Sequence, residues 1–322
     1  VTRYIVPRYI ATGVALVALA SCTQPKHATD KARVQAPSTV AAKVTVGGQP
    51  CGVVAAFGAV WVTDAQRATL VRIDGDKVTK RYPLDKTPCE LTSGFGALWV
   101  ATQSGVLDRV DPDSGTVVAH VEVGETSYEP VVAYGSVWVT NRGSNTVSRI
   151  DPHTNDATTV KLPFVNAGGI VAAGGYLWVG DDSSLATEVV RLDPRTGHFT
   201  KVNAGARPSF VAAAAGSVFV ANEVDGTVTQ LDERTGASRR TVKAGDRPVN
   251  LAVLPGERPE VWVPDDVGNH LTRIDATTGE VVETMTVGTG PAVVAPDGAA
   301  VWVTNFGDGT VWRIVPSARR AA

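Results

Sequence analysis

One methionine, five histidines and three cysteines are spread over 322 residues, and each scarcity closes off a class of protein. A single methionine against 32 glycines argues for many tight turns rather than a helical chain. The formal net charge is −2, with 30 Lys and Arg against 32 Asp and Glu. That leaves no basic footprint, so nucleic acid is not an expected partner. No apolar run reaches the ~20 residues of a membrane-spanning helix; the longest, Tyr9 to Ala20, is about a dozen residues. Cys51 and Cys89 have no histidines in company and make a poor zinc site, and nothing calls for another metal or a cofactor. His270 lies near Asp265 and Asp266, but no serine or cysteine nucleophile with a supporting motif accompanies it. No catalytic residue is assigned.

What the chain does have is a repeat. A Trp-Val or Phe-Val pair returns at Trp61, Trp99, Trp138, Trp178, Phe219, Trp262 and Trp302, at intervals of 38, 39, 40, 41, 43 and 40 residues. A period near 40 built from short alternating segments predicts an all-β fold, a seven-bladed β-propeller of four-stranded antiparallel blades. Such a unit cannot bury both faces alone, so the repeat overrides the two domains that length would suggest. Within a unit, Gly-centred turns such as Phe57-Gly58 join the first two strands. Asp-Pro and related turns, at Asp111, Asp151, Asp193, Asp232 and Asp275, follow the third. There Asp bonds its own following backbone and glycine accepts positive φ. The seventh unit stops short of a fourth strand, while Val40 to Val46 matches the fourth-strand segment from Val118. The N-terminal strand is therefore expected to cross the seam and close the last blade, hiding the open edges.

The residues ahead of the repeat read as a targeting segment. Arg3 and Arg8 precede the apolar run, which ends in Leu19-Ala20-Ser21-Cys22. This tetrad resembles the bacterial lipoprotein lipobox, which implies a signal peptide over 1–21, lipid on Cys22 and attachment to a membrane in the cell envelope, on the extracytoplasmic side. An ordinary secretory signal is the competing reading. Residues 22–39 are polar and read as a flexible tether; residues 40–316 form the propeller and 317–322 a C-terminal tail. Cys51 and Cys89 stand one period apart, each after a proline. Equivalent inner-strand positions of adjacent blades meet near the axis, so an exported protein is expected to form a Cys51–Cys89 disulfide. Two small buried residues or a redox pair remain as alternatives.

The grammar VWVTN, VSRIDP, TG and VGxxP over residues 40–316 resembles the YVTN-type repeat of bacterial β-propellers, and the Gly-His and Trp-Asp signatures of WD repeats are missing. A more distant resemblance is to the virginiamycin B lyase family. It implies elimination chemistry by histidines after the blade-opening prolines, with carboxylates holding magnesium. Here Cys51, Cys89, Val131, Ser209, Val249 and Ala292 follow those prolines, none of them histidine, and blade four has no such proline. A metal-assisted lyase or hydrolase stays as the alternative to a binding or scaffolding module.

Propeller ligands meet the face made by the loops before the first strand and after the second. The second-to-third loops there carry Asn141, Arg142, Asp181, Asp182, Asn222, Glu223, Asp265, Asp266 and Asn305. Their oxygens are candidates for holding a hard cation or a polyhydroxylated ligand, or for the Asx turns that hairpins need. Departures from the repeat are more telling. Glu125, Tyr128 and Glu129 lie in the longer loop opening blade three, whereas Arg207 and Arg247 open blades five and six. An acidic, aromatic side would then face a basic side able to fork onto an anion. The arginines of the third strands belong to the repeat and read as structural. The expected protein is a monomer that binds an envelope protein or a small polar ligand.

Overall fold

The computed structural model describes residues 37–318. The signal segment 1–21, the lipid-attachment candidate Cys22, most of the tether and the end of the tail lie outside the described residues. Among those described none is helical, and no helix is long and apolar enough to cross a membrane. The strands begin with β1 (Thr39–Thr45). Blade one is β2 (Pro50–Ala56), β3 (Ala59–Asp64), β4 (Thr69–Asp74) and β5 (Lys77–Pro83); blade two is β6 (Pro88–Gly94), β7 (Ala97–Thr102), β8 (Val106–Val110) and β9 (Val117–Glu122). Blade three is β10 (Ser127–Ala133), β11 (Ser136–Asn141), β12 (Thr146–Ile150) and β13 (Ala157–Lys161); blade four is β14 (Ala167–Ala173), β15 (Tyr176–Asp181), β16 (Glu188–Leu192) and β17 (Phe199–Asn203). Blade five is β18 (Pro208–Ala214), β19 (Ser217–Asn222), β20 (Thr227–Asp232) and β21 (Ser238–Lys243); blade six is β22 (Ala252–Leu254), β23 (Glu260–Asp265), β24 (His270–Asp275) and β25 (Val281–Thr286). Blade seven supplies β26 (Pro291–Asp297), β27 (Ala300–Asn305) and β28 (Thr310–Val315), and β1 completes it in the order β1-β28-β27-β26. The seven-bladed propeller and its N-terminal closure are as expected.

The repeated aromatics explain why seven blades hold together. Trp61 packs on Leu98, Val100 and Val110 of the next blade, and Trp99 on Val137, Val139 and Ile150 of the one after. The series continues to Trp302, which reaches Val60, Val62 and Val71 of blade one across the seam. Each ring is at most 2% exposed. One large side chain per blade thus fills the layer between two sheets, and burial of this kind is the main favourable contribution to folding. Third-strand arginines sit directly across from the aromatics: Arg72 opposite Trp61, Arg109 opposite Trp99 and Arg149 opposite Trp138. Their guanidinium carbons lie 5.3–5.5 Å from the ring centroids, within cation–π reach. The blade with Phe219 has Gln230 there instead, bonded to Ser217 and to the Ala276 carbonyl.

The turns follow their local chemistry. Asp111 accepts from the amides of Asp113 and Ser114, and Asp275 from those of Thr277 and Thr278. On the same face, Phe57-Gly58 and Phe95-Gly96 form two-residue hairpin turns with both φ angles positive, the type I′ geometry that matches strand twist. Because β1 is a fourth strand, the described chain enters on this face, where Ser38 bonds Glu283.

Candidate functional site

At the start of the inner strand, six blades share a shift in pairing. Pro50 lies opposite Asp64, yet Val53 lies opposite Val62, so one residue is extra. The same shift occurs after Pro88, Ser127, Ala167, Pro208 and Pro291. In blade six, Pro248 bridges Asp265 just ahead of β22. A bulge of this kind re-aims side chains, here toward the propeller axis. It also corrects the sequence alignment. Ser127, not Pro130, occupies the blade-opening place in blade three, so Tyr128 replaces Val131 as the residue that follows. The corresponding residue of blade four is Gly168, where a Cβ would come within 2.1 Å of the Ser209 carbonyl oxygen. Neither blade acquires a histidine at the place the lyase resemblance requires.

The re-aimed side chains and the loops above them enclose an axial cavity of about 310 Å³. One part of its wall is apolar: Val249, Ala292, Val293 and the Cys51–Cys89 disulfide, whose Cα atoms are 5.0 Å apart. Reducing the bridge, or replacing both cysteines with serine, should lower stability by about 2–4 kcal/mol, because it ties a 38-residue separation that the unfolded chain must otherwise close. Urea melts with and without reductant would show it; superimposable curves would remove the bridge from the account.

The remaining wall is charged, and its signs alternate from one side chain to the next around the mouth. Arg142 bonds Asp182 at 2.8 Å; Arg207 bonds Asp182 at 2.7 Å and Glu223 at 3.2 Å. Farther round, Arg247 donates to Asp266 through Nε at 2.7 Å and through its terminal nitrogen. The structure therefore brings both predicted arginines to the mouth, but hands each a carboxylate from a neighbouring loop. The acidic and basic sides expected from the sequence interleave instead of facing each other. Burial alone would lower the Arg207 pKa, and the bond to Asp182 and the charge of Glu223 more than reverse it. Burial raises that of Glu223.

Tyr128 also lines the cavity. Its ring stacks under the Arg142 guanidinium at 3.8 Å and lies 5.7 Å from the Phe210 ring. Burial pushes its phenol well above the usual range. The next residue, Glu129, accepts the Ile170 amide at 3.1 Å, and burial raises its carboxyl to about 8. Glu90, at the equivalent position of blade two, is raised well above the ordinary carboxyl by burial and then by the charge of Glu129. Glu90 and Phe210 were missed from the sequence, although the Pro-Cys-Glu break in the repeat at Glu90 was visible.

The other predicted residues sit elsewhere. Glu125 is exposed away from the cavity lining, and its carbonyl accepts the Gly143 amide. Asn141, Asp181, Asn222, Asp265 and Asn305 are buried at the ends of the second strands. Asn141 and Asn222 donate to Thr146 and Ser148, and to Thr227 and Thr229; Asn305 donates to Thr310 and Asp181 accepts from Ser183. Burial works against the charge of Asp265, yet the amides of Asp246, Arg247 and Gly268 hold its pKa down. These bonds are the hairpin and loop ties that the turn reading describes. Strand alternation then points each following residue the other way: Arg142, Asp182, Glu223 and Asp266, one position along, are the ones that reach the mouth.

No protein-family model matches this chain, and none of the curated proteins does. Among solved structures it is similar to Kuenenia stuttgartiensis hydrazine synthase, with 14% identity and a TM-score of 0.70 over 84% of this chain and 96% of that one. The likeness is one of fold. A β-propeller hosts many unrelated activities, so function has to be argued from the site.

Proposed function

We propose that this chain is an exported binding module of the YVTN-repeat kind, holding a small polar ligand, or a polar projection of an envelope protein, in its axial cavity. The observation that carries the reading is the cavity itself, a concave site with one apolar wall and convergent charged groups. The reading also takes Cys22 as lipidated.

Two results test this. Cys22→Ser should move the protein from the membrane fraction to the soluble one; a variant still in the membrane fraction would refute the anchor. Ala292→Trp should fill the cavity and cost at least about tenfold in the ligand or crosslinked partner recovered with the protein from its own envelope, since binding surfaces of this size depend on a few buried contacts. Native mass spectrometry and crosslinking would report it, and undiminished recovery would refute the axial site. Charge reversal at Arg207 is a poor probe, because a glutamate there would face Asp182 and Glu223 and weaken the fold as well.

A further inference from the structure

Glu90 is 6% exposed and stands on the cavity wall, yet its carboxyl makes no hydrogen bond or ion pair with any other described residue. Every other charged side chain on that wall has a partner: Arg142, Asp182, Arg207 and Glu223 form one chain of ion pairs, and Arg247 and Asp266 another. A carboxyl so placed, on a residue 6% exposed and unpartnered on a cavity wall, is stabilised by holding a proton or by meeting a cation. Its neighbour sharpens the choice. Glu129 occupies the equivalent bulged position of the next blade, and its charge disfavours the ionisation of Glu90.

The chemistry of the surroundings says which cation. With Glu90 ionised, Glu90, Asp182, Glu223 and Asp266 outnumber Arg142, Arg207 and Arg247 on the wall, so the site favours positive charge. The Tyr128 and Phe210 rings and the apolar wall of Val249, Ala292 and Val293 suit a ligand with a carbon body. Among the described residues no group of three His, Cys, Asp or Glu gathers to hold a bare metal ion. We propose that Glu90, supported by Glu129, anchors the ammonium group of a small amine in the axial cavity, taken up in exchange for a proton. This rests on the axial-cavity reading and gives its ligand a chemical class.

The exchange balances simply. In the free site Glu90 holds a proton; the ammonium arrives charged, Glu90 ionises against it, and that proton leaves to solvent. Facing the dyad are Arg142 and Tyr128 of blade three and, through Arg142, Asp182 of blade four. Burial holds both glutamates above their ordinary range, so proton competition weakens binding below about pH 8 and fades above it.

Calorimetric titration of the full chain with benzylamine tests this, with benzyl alcohol, benzoate and calcium chloride as comparison ligands. Benzylamine should bind about tenfold more tightly at pH 8 than at pH 6, with proton release at pH 6 revealed by buffers of different ionisation heat. Glu90→Gln should cost at least tenfold in affinity and abolish most of the proton release, while the thermal midpoint holds or rises. Glu129→Gln serves as the second variant and should also cut the release. Benzyl alcohol binding as well as benzylamine, benzylamine indifferent to Glu90→Gln, or calcium bound in its place with the same dependence on Glu90 would each overturn the proposal. Benzoate bound in place of benzylamine would overturn it while leaving the axial cavity a binding site. If none of the four ligands bound and Ala292→Trp changed nothing recovered from the envelope, both readings would fall.

Discussion

A chain lacking Thr39–Thr45 is expected to lose the monomeric folded state: it should elute as oligomers or melt without a cooperative transition. The strand pairs with β28 from Thr39 opposite Val315 to Thr45 opposite Thr310. Its removal bares the whole outer edge of β28, an open template for another chain. It also strips packing from the seam. Val44, together with Val46 just past the strand, is buried in the cluster where Trp302 meets blade one, and Lys43 covers the Trp312 ring at 3.6 Å. Val44 alone is worth about 1.5–3 kcal/mol, and Val46 loses the strand that carries it into the cluster. The unpaired edge adds to that, and total stabilities are only about 5–15 kcal/mol. Size-exclusion chromatography with thermal melts checks this, and a monomeric deletion as heat-stable as the intact protein would refute closure by β1.

The second large effect is expected at Arg273, where the seam is locked chemically. Arg273 is 2% exposed and clasps Glu260, itself buried, through Nε at 2.6 Å and Nη2 at 2.5 Å. The same guanidinium donates to the Ser317 carbonyl at 3.0 Å and lies 3.8 Å from Glu283, which binds the amide and hydroxyl of Ser38. One side chain therefore joins blade six to both ends of the described chain. Arg273→Ala breaks this two-point buried ion pair with Glu260, a loss of about 3–5 kcal/mol. Arg149→Ala removes the same repeat residue where it is exposed and bonded to Ser136, so it should cost about 1 kcal/mol or less. Urea melts of the pair would decide it, and equal losses would mean that the lock contributes nothing beyond the repeat.

Much of this architecture was legible because it is periodic. The inter-blade layer needs one large ring per blade, so selection for packing writes a tryptophan about every 40 residues. The missing fourth strand of blade seven and the matching segment at Val40 show the seam by simple subtraction, and Cys51 and Cys89 differ by one period. The site was legible only in part. Tyr128, Arg207 and Arg247 break the repeat and do line the axial cavity. Asn141, Asn222 and Asn305 follow it, and are taken up by their own hairpins. Pro130 misled the alignment because a proline looks the same at the first place of a bulged strand and at the fourth.

By itself, the sequence determined the number of blades, the aromatic layers between them, the strand that closes the ring and the cysteines that bridge two blades. These are set by local patterns that repeat or conspicuously fail to, and pattern survives in one dimension. Only the tertiary structure decided which of two successive side chains faces the axis, since a one-residue bulge reverses that choice without changing composition. It alone paired Arg207 with Asp182 and Glu223, and set Glu90 beside Glu129. Asp182 and Arg207, like Glu90 and Glu129, come from different blades, and the electrostatics of these groups depend on distance and exclusion of water, neither of which spacing along the chain contains.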